Sequence, residues 1–574
     1  MDKEKILEVN NLNIDYIFEN KPINLIKDFG FTLHKGEVIG VVGESGSGKT
    51  LSSMALLKLI SPKLKYRSGN AYFHNDSDEK IDLLKLNDRE LEKYRGKDFG
   101  VIFQEPMTSL NPAFICGSQI TERITRHLKY NKKEAKDYTL SLLEDVKIQN
   151  PSKVFNSYPH QISGGQQQRI MIAMAISCNP KILIADEPTT ALDVTVQRSI
   201  IELIQTIISK NNLSVIFISH DLSIISELVS DVIVMYKGAI VEKNSINKIF
   251  YYPQNPYTKA LIACRPNNNN QNEYLNTIDD FFYTDKEGNI IQKEITKKTA
   301  FIQKHNVSDK PLIDIKNLNV SYKINSSFFS KEKKYFQVLN NLNFSIFKGE
   351  TLGIVGESGC GKSTLAKTIV KLVMPTSGSI HFDDKNITDL SNREFRQYRS
   401  KIQIIFQDPY SSLNPYLKIG TALKEVIDVY TDERSNIKKK NKVIEMLETV
   451  GLKEMHYDRY SHEFSGGQRQ RICIARALLL NPEFLILDES VSALDVSVQA
   501  QVLNLLNNLK QDFNLTYAFI SHDMSVIKYM SDRVIVMNKG IIEEIGNVKQ
   551  VYENPIAEYT KMLINAANFK IKEH

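Results

Sequence analysis

Gly43-Glu44-Ser45-Gly46-Ser47-Gly48-Lys49-Thr50 and Gly356-Glu357-Ser358-Gly359-Cys360-Gly361-Lys362-Ser363 are two copies of one pattern, with Lys362 lying 313 positions after Lys49. Each fits G-x-x-x-x-G-K-[ST], the spacing that lets backbone N–H groups wrap a polyphosphate. The glycines permit a close backbone approach that a side chain would block. Lys49 and Lys362 supply a cation for the β- and γ-phosphates, and the Thr50 and Ser363 hydroxyls are placed to ligate Mg²⁺. The helix expected after each loop points its N-terminus at the anion. Average residue usage yields one such loop by chance in roughly 2% of chains this long. Two copies with matching sequence downstream therefore mean two bound nucleotides.

Working outward, the repeat holds its register. Gln407 follows Gln104 by 303 positions, and Ser465, Glu489 and His522 follow Ser163, Glu187 and His220 by 302. The ten-residue shift falls between loop and glutamine, where the first copy carries extra sequence around residues 61–80. Residues 1–264 and 311–574 thus read as a tandem domain pair, joined by a polar, Asn- and Lys-rich linker over 265–310 in which residues 278–283 could pack locally. Short apolar runs precede the loops (38–42 and 351–355), the acid pairs (181–185 and 483–487) and two Ser-His-Asp triplets (214–218 and 516–520). Such strands alternating with helical segments predict an α/β fold with a largely parallel sheet and its chemistry at the strands' carboxyl ends.

Asp186 and Asp488 each end an apolar strand, where a buried acid is costly unless it faces a cation; a magnesium role is the natural account. Glu187 and Glu489 come next and are the candidate bases for polarising an attacking water. Ser163-Gly164-Gly165-Gln166 and Ser465-Gly466-Gly467-Gln468 each precede a helical segment, with serine a good N-cap and glycines exposing N–H groups to an anion.

Together these elements resemble the nucleotide-binding domain of ATP-binding cassette (ABC) proteins, whose signature is Leu-Ser-Gly-Gly-Gln; Ile162 and Phe464 stand here in place of the leucine. The resemblance covers both halves. It implies two tandem P-loop ABC nucleotide-binding domains, each with a RecA-like parallel-sheet core, an antiparallel β subdomain and an α-helical subdomain. It also implies that the halves close head to tail around two ATP molecules. One site would combine Lys49, Asp186, Glu187 and His220 with Ser465–Gln468; the other would combine Lys362, Asp488, Glu489 and His522 with Ser163–Gln166. Gln104 and Gln407 match the family's Q-loop, which touches Mg²⁺ or water. His220 and His522 match the switch histidine that holds the γ-phosphate, and Asp193 and Asp495 match the interfacial D-loop. Tyr16 and Tyr322 look like the aromatic that stacks on adenine. No catalytic letter is missing from either copy; Ser490 in place of Pro188 is a small asymmetry.

Composition narrows the setting. The net charge of +6 is small for 574 residues, so no nucleic-acid footprint follows, and the Lys438-Lys439-Lys440 run reads as a solvated helix face. No apolar stretch reaches membrane-spanning length, and the charged start lacks a signal region, which places the chain in the cytoplasm with any membrane role mediated by partners. Five scattered cysteines without C-x-x-C spacing read as reduced thiols.

Two features resemble the oligopeptide/dipeptide importer branch in its fused form, such as the ATPases of glutathione and microcin C-type peptide importers. One is the stretch after each Q-loop glutamine, 105–112 and 408–415. The other is Asn255-Pro256-Tyr257-Thr258-Lys259, set against Asn554-Pro555 and Tyr559-Thr560-Lys561. Some relatives carry a cysteine cluster after this element; Cys264 stands alone, so no iron–sulfur cluster is expected. The branch implies two transmembrane permease subunits, an extracytoplasmic substrate-binding protein, and a place on the inner face of the cell membrane. The different-class alternative, a soluble twin-cassette ATPase acting on ribosomes or DNA, would be expected to carry a long charged arm between cassettes or zinc-spaced cysteines; the linker is short and Asn-rich, and no such cysteines occur.

Overall fold

The computed structural model describes residues 4–19, 21–75, 79–190, 192–266, 273–285, 290–294, 307–324, 334–492 and 494–567. Strand Val38–Val42, which feeds the first glycine loop, lies between Ser214–Ser219 and Asp231–Tyr236, parallel to both. Ile182–Asp186 and Phe99–Ile102 extend this parallel core on one side, and Ala239–Ser245 closes it antiparallel on the other. The central strands are continuous apolar runs because both faces are covered. The second half repeats the order: Ile402–Ile405, Phe484–Asp488, Thr516–Ile520, Thr351–Val355, Arg533–Asn538, Ile541–Asn547. With the strand directions shared, the loop, the acid pair and the histidine of each half emerge at one sheet edge.

Each half adds an antiparallel layer. In the first, Lys5–Phe18, Lys21–His34, Leu64–His74 and Lys80–Asp82 join the core through one bridge between Ala239 and Lys27, making a ten-stranded sheet. In the second, the corresponding four strands form a sheet of their own. Half of the ten-residue shift of register lies in this layer: Leu64–His74 has 11 residues where Ser377–Phe382 has 6. Paired helices, Cys116–Leu128 with Lys132–Asp145 and Ile419–Tyr430 with Asn436–Thr449, fill the span between the glutamine and the serine-glycine segment. Lys438 and Lys440 are exposed on the last of these, whose other face buries Val443, Met446 and Leu447.

Of the stretch expected as a polar linker, residues 267–272, 286–289 and 295–306 lie outside the described residues. Part of the remainder is packed. Leu275 is fully buried in the second half's core, and Asn504 fixes its backbone, accepting from the Leu275 N–H at 2.9 Å and donating to its carbonyl at 2.8 Å. Phe281 and Phe282 are buried in the first half's core. Residues 275–282 thus anchor in both halves. Among the described residues no helix is long and apolar enough to cross a membrane, and all five cysteines are buried and outside any disulfide.

Candidate active sites

Each phosphate loop has the backbone shape its glycines allow. Gly43 has φ +154, and a Cβ there would sit 2.3 Å from the Met235 carbonyl oxygen; Gly48, at φ +99, caps the following helix Lys49–Ala55. Lys49 is buried and turns back on the loop, its Nζ donating to the carbonyls of Gly43 at 2.8 Å and Glu44 at 2.9 Å. Lys362 does the same to Gly356 at 2.7 Å and Glu357 at 2.9 Å. The loops are thus held as cradles by their own lysines.

The acids behave as a strand end dictates. Asp186 is the last residue of its strand, and burial raises its carboxyl to about 6 against a hydrogen bond from Thr50 Oγ1 at 2.9 Å. Asp488 is likewise raised by burial and takes a 3.0 Å bond from Ser363 Oγ. A buried carboxylate that resists ionisation beside a hydroxyl is a donor pair that a hard cation would complete, with its remaining ligands from phosphate and water. Among the described residues no group of three His, Cys, Asp or Glu side chains could hold a metal alone.

Glu187 and Glu489 turn out of the strand through left-handed backbone, φ 45 and 47, while their N–H groups stay in the ladder on Ile218 and Ile520 at 3.0 Å. A non-glycine residue in this region is uncommon and costs about 1–3 kcal/mol. The turn swings each glutamate away from the preceding aspartate and towards the histidine. His220 Nδ1 lies 2.9 Å from Glu187 Oε2, and Lys49 Nζ 3.8 Å from Oε1; in the second site the same distances are 3.5 and 3.8 Å. Burial alone would raise the Glu187 carboxyl, but the hydrogen bond and charge of His220, with Lys49, outweigh it and hold the group at about 2. His220 is raised in turn: burial opposes its charge, and Glu187 overcomes that. Glu489 is lowered and His522 raised for the same reasons. Gln104 donates to Glu187 at 3.4 Å and Gln407 to Glu489 at 2.9 Å, so both glutamines reach the glutamate rather than the aspartate.

Ser163 and Ser465 cap the helices Gly164–Ile176 and Gly466–Leu478, each closing a capping box with Gln166 or Gln468. Gly164 faces open space, whereas a Cβ on Gly165 or Gly467 would strike Val196 at 2.9 Å or Val498 at 2.2 Å. The second glycine is therefore what lets the D-loop helix pack close. The two halves touch through those D-loops. Asp495 Oδ2 accepts from the Ser45 N–H at 3.0 Å, Thr195 Oγ1 donates to Glu357 Oε1 at 2.6 Å, and Ser497 bonds Glu44. Among the described residues, no hydrogen bond joins a signature residue to the opposite phosphate loop. A cavity of about 120 Å³ between the halves is walled by Glu187, His220, Arg265, Ser492 and His522 among others.

Tyr16 and Tyr322 are not drawn into the loops. Tyr16 stacks beside Phe18 with centroids 6.3 Å apart, and its strand neighbour Leu64, not Tyr16, lines the hollow over the first loop; Tyr322 is 43% exposed. Three features went unread in the sequence. Thr190 donates to Glu187 at 2.9 Å, Tyr257 and Tyr559 touch the loops, and Thr195 and Ser497 reach across the halves. The last had a legible signal: Asp193-Val194-Thr195 and Asp495-Val496-Ser497 place a hydroxyl two residues after the D-loop acid in both copies.

The ABC transporter family model matches residues 26–190 and 339–492, and the model of the oligopeptide/dipeptide transporter C-terminal region matches 241–281. The chain is 41% identical over 573 residues to the "Glutathione import ATP-binding protein GsiA" of Escherichia coli (strain K12), covering 99% of this chain and 90% of that one. The protein of the same name from Salmonella typhimurium (strain LT2) is 40% identical over 567 residues, with the same coverage. A solved dimeric bacterial ABC transporter cassette is 30% identical, covers 41% of this chain and 98% of its own, and has a TM-score of 0.38. With both cassettes present in one polypeptide and the importer-type C-terminal region behind the first, this chain belongs to the ABC transporter ATP-binding proteins, as a twin-cassette ATPase of the oligopeptide/dipeptide importer type.

Proposed function

We propose that this chain hydrolyses ATP at two composite sites to drive uptake of peptides or related small solutes, glutathione among them, through two separate transmembrane permease subunits. A substrate-binding protein outside the membrane delivers the solute, and the chain works from the inner membrane face without a nucleic-acid partner. The observation that carries the reading is the pair of Glu–His–Lys clusters, each set against a hydroxyl–aspartate pair in one polypeptide.

In this reading Lys49 and Lys362 grip the phosphates. Mg²⁺, held by Thr50, Asp186 and Gln104 or by Ser363, Asp488 and Gln407, would neutralise phosphate charge. An incoming γ-phosphate draws on the same two side chains that hold Glu187, those of Lys49 and His220, and so frees that carboxylate to take a proton from the attacking water. Glu489 does so with Lys362 and His522. Closure brings Ser465–Gln468 to the first phosphate and Ser163–Gln166 to the second, so ATP favours the closed form. Glu187→Gln with Glu489→Gln should keep ATP binding and nearly abolish phosphate release; unchanged hydrolysis would refute the base assignment. Deleting the chain should abolish cellular uptake of labelled glutathione or short peptides, and unaltered uptake of all of them would refute the import role.

A further inference from the structure

The C-terminal element of each half reaches back to its own phosphate loop. Glu242 accepts from the N–H groups of Gln254 at 2.9 Å and Asn255 at 3.0 Å, just ahead of helix Pro256–Ala263. Glu544 accepts from Ile556 at 3.0 Å and Ala557 at 3.1 Å, just ahead of helix Glu558–Ala567. These two helices carry Tyr257 and Tyr559. The Glu44 N–H donates to the Tyr257 hydroxyl at 2.9 Å, and the Glu357 N–H to the Tyr559 hydroxyl at 3.1 Å.

The bond survives a change in the sequence around it. The two Asn-Pro pairs are 299 positions apart, but the tyrosines are 302 apart, as are Glu242 and Glu544. The carboxylate pattern puts Ile556 and Ala557 where Gln254 and Asn255 stand, so Pro555 answers to Pro253 and not to Pro256. The helix start is built differently in the two halves, and the hydroxyl still meets the same amide.

That amide matters because of what shares its plane. The Glu44 N–H and the Gly43 carbonyl belong to one rigid peptide unit, and the carbonyl is the oxygen that holds Lys49 Nζ at 2.8 Å. Glu357 and Gly356 stand in the same relation to Lys362 Nζ at 2.7 Å. One end of each plane is pinned by a tyrosine, and the other end aims the lysine. We propose that Tyr257 and Tyr559 are positioning residues for the two phosphate-binding lysines, acting through the Gly43–Glu44 and Gly356–Glu357 peptides. The proposal rests on the ATPase reading above. Tyr257 is fully buried, with Tyr236 at 4.5 Å and the linker's Phe282 at 6.1 Å between ring centroids. The linker therefore packs directly on the residue that sets the first loop.

Tyr257→Phe in the full chain keeps the ring and its packing and removes only the hydroxyl. Amide hydrogen exchange over residues 41–48 should quicken, and the KM for ATP should rise about fivefold with kcat nearly unchanged, the ratio expected for one lost hydrogen bond. Tyr559→Phe should do the same over residues 354–361. Unchanged exchange and KM, or an equal rise in Tyr236→Phe, where the Tyr257 hydroxyl remains, would overturn the proposal. The glutamate double variant separates the two readings. If it loses turnover while the tyrosine variants change nothing, only the positioning role falls. If the tyrosine variants loosen the loop while the glutamate variant turns over normally, the base assignment falls and the positioning role stands.

Discussion

The two phosphate sites carry the same letters and different surroundings. At the first, His220 sits 2.9 Å from Glu187, and Thr190 adds a hydroxyl to the same carboxylate; at the second, His522 stands 3.5 Å from Glu489, and Ser492 bonds the Glu489 backbone carbonyl instead. The D-loops differ more. Asp193 caps its own helix, accepting from the Val196 N–H at 2.9 Å and Thr195 Oγ1 at 2.8 Å, whereas Asp495 makes no cap and reaches across to Ser45. The first loop is thus braced by the opposite half's acid, its own C-terminal tyrosine and, behind that, the linker. Glu44, between these braces, is raised to about 7 by burial and by the nearby Asp495 charge. A duplicated motif therefore guarantees duplicated chemistry at the loop and not duplicated coupling between halves.

The comparison can be broken most forcefully at the bases. Glu187→Gln and Glu489→Gln made singly should each cut phosphate release, the double variant by about 10²–10⁴-fold. Unequal single losses would show that the better-braced site contributes more, while equal losses would show that the sites act only together. Next in size is the linker. Leu275→Ala should destabilise the second half, and Phe282→Ala the first, each by about 2–5 kcal/mol in denaturant unfolding followed half by half. Losses spread equally over both halves would deny the separate anchorage.

Smaller effects sharpen the D-loop contrast. Asp193→Ala should cost about 1 kcal/mol of stability through the lost cap. Asp495→Ala should leave stability nearly unchanged and weaken ATP binding at the first site, read with a fluorescent nucleotide. The smallest effect is electrostatic. Glu187 holds the His220 imidazole above its ordinary value, so Glu187→Gln should lower the His220 titration midpoint, seen by NMR; Glu489→Gln should lower that of His522 by less, across the longer contact. The sign also fixes the pH window of the pair. The depressed Glu187 carboxyl contributes stability above the ordinary carboxylate range that is lost as pH falls towards about 2. The raised His220 contributes stability below the ordinary imidazole value that is lost as pH rises through its folded midpoint.

Much was legible from residues alone because the chemistry is contiguous. A phosphate cradle needs glycines, lysine and hydroxyl within eight positions, and a strand-end acid pair needs an apolar run before it, so Lys49, Thr50, Asp186, Glu187 and their counterparts could be named from spacing. The constant 302-residue offset paired the histidines and signatures in the same way. Contacts between distant segments leave no such trace. Nothing local in Leu275 or Phe282 says that one enters the second core and the other the first, and the Asn-Pro spelling at residues 554–555 points to the wrong partner for Pro256. Which D-loop acid crosses to the other half, and which hydroxyl pins the peptide behind each lysine, depends on helices brought together from more than 200 positions away. Short-range stereochemistry wrote the two catalytic kits into the chain; only long-range packing decided how unequally the halves hold them.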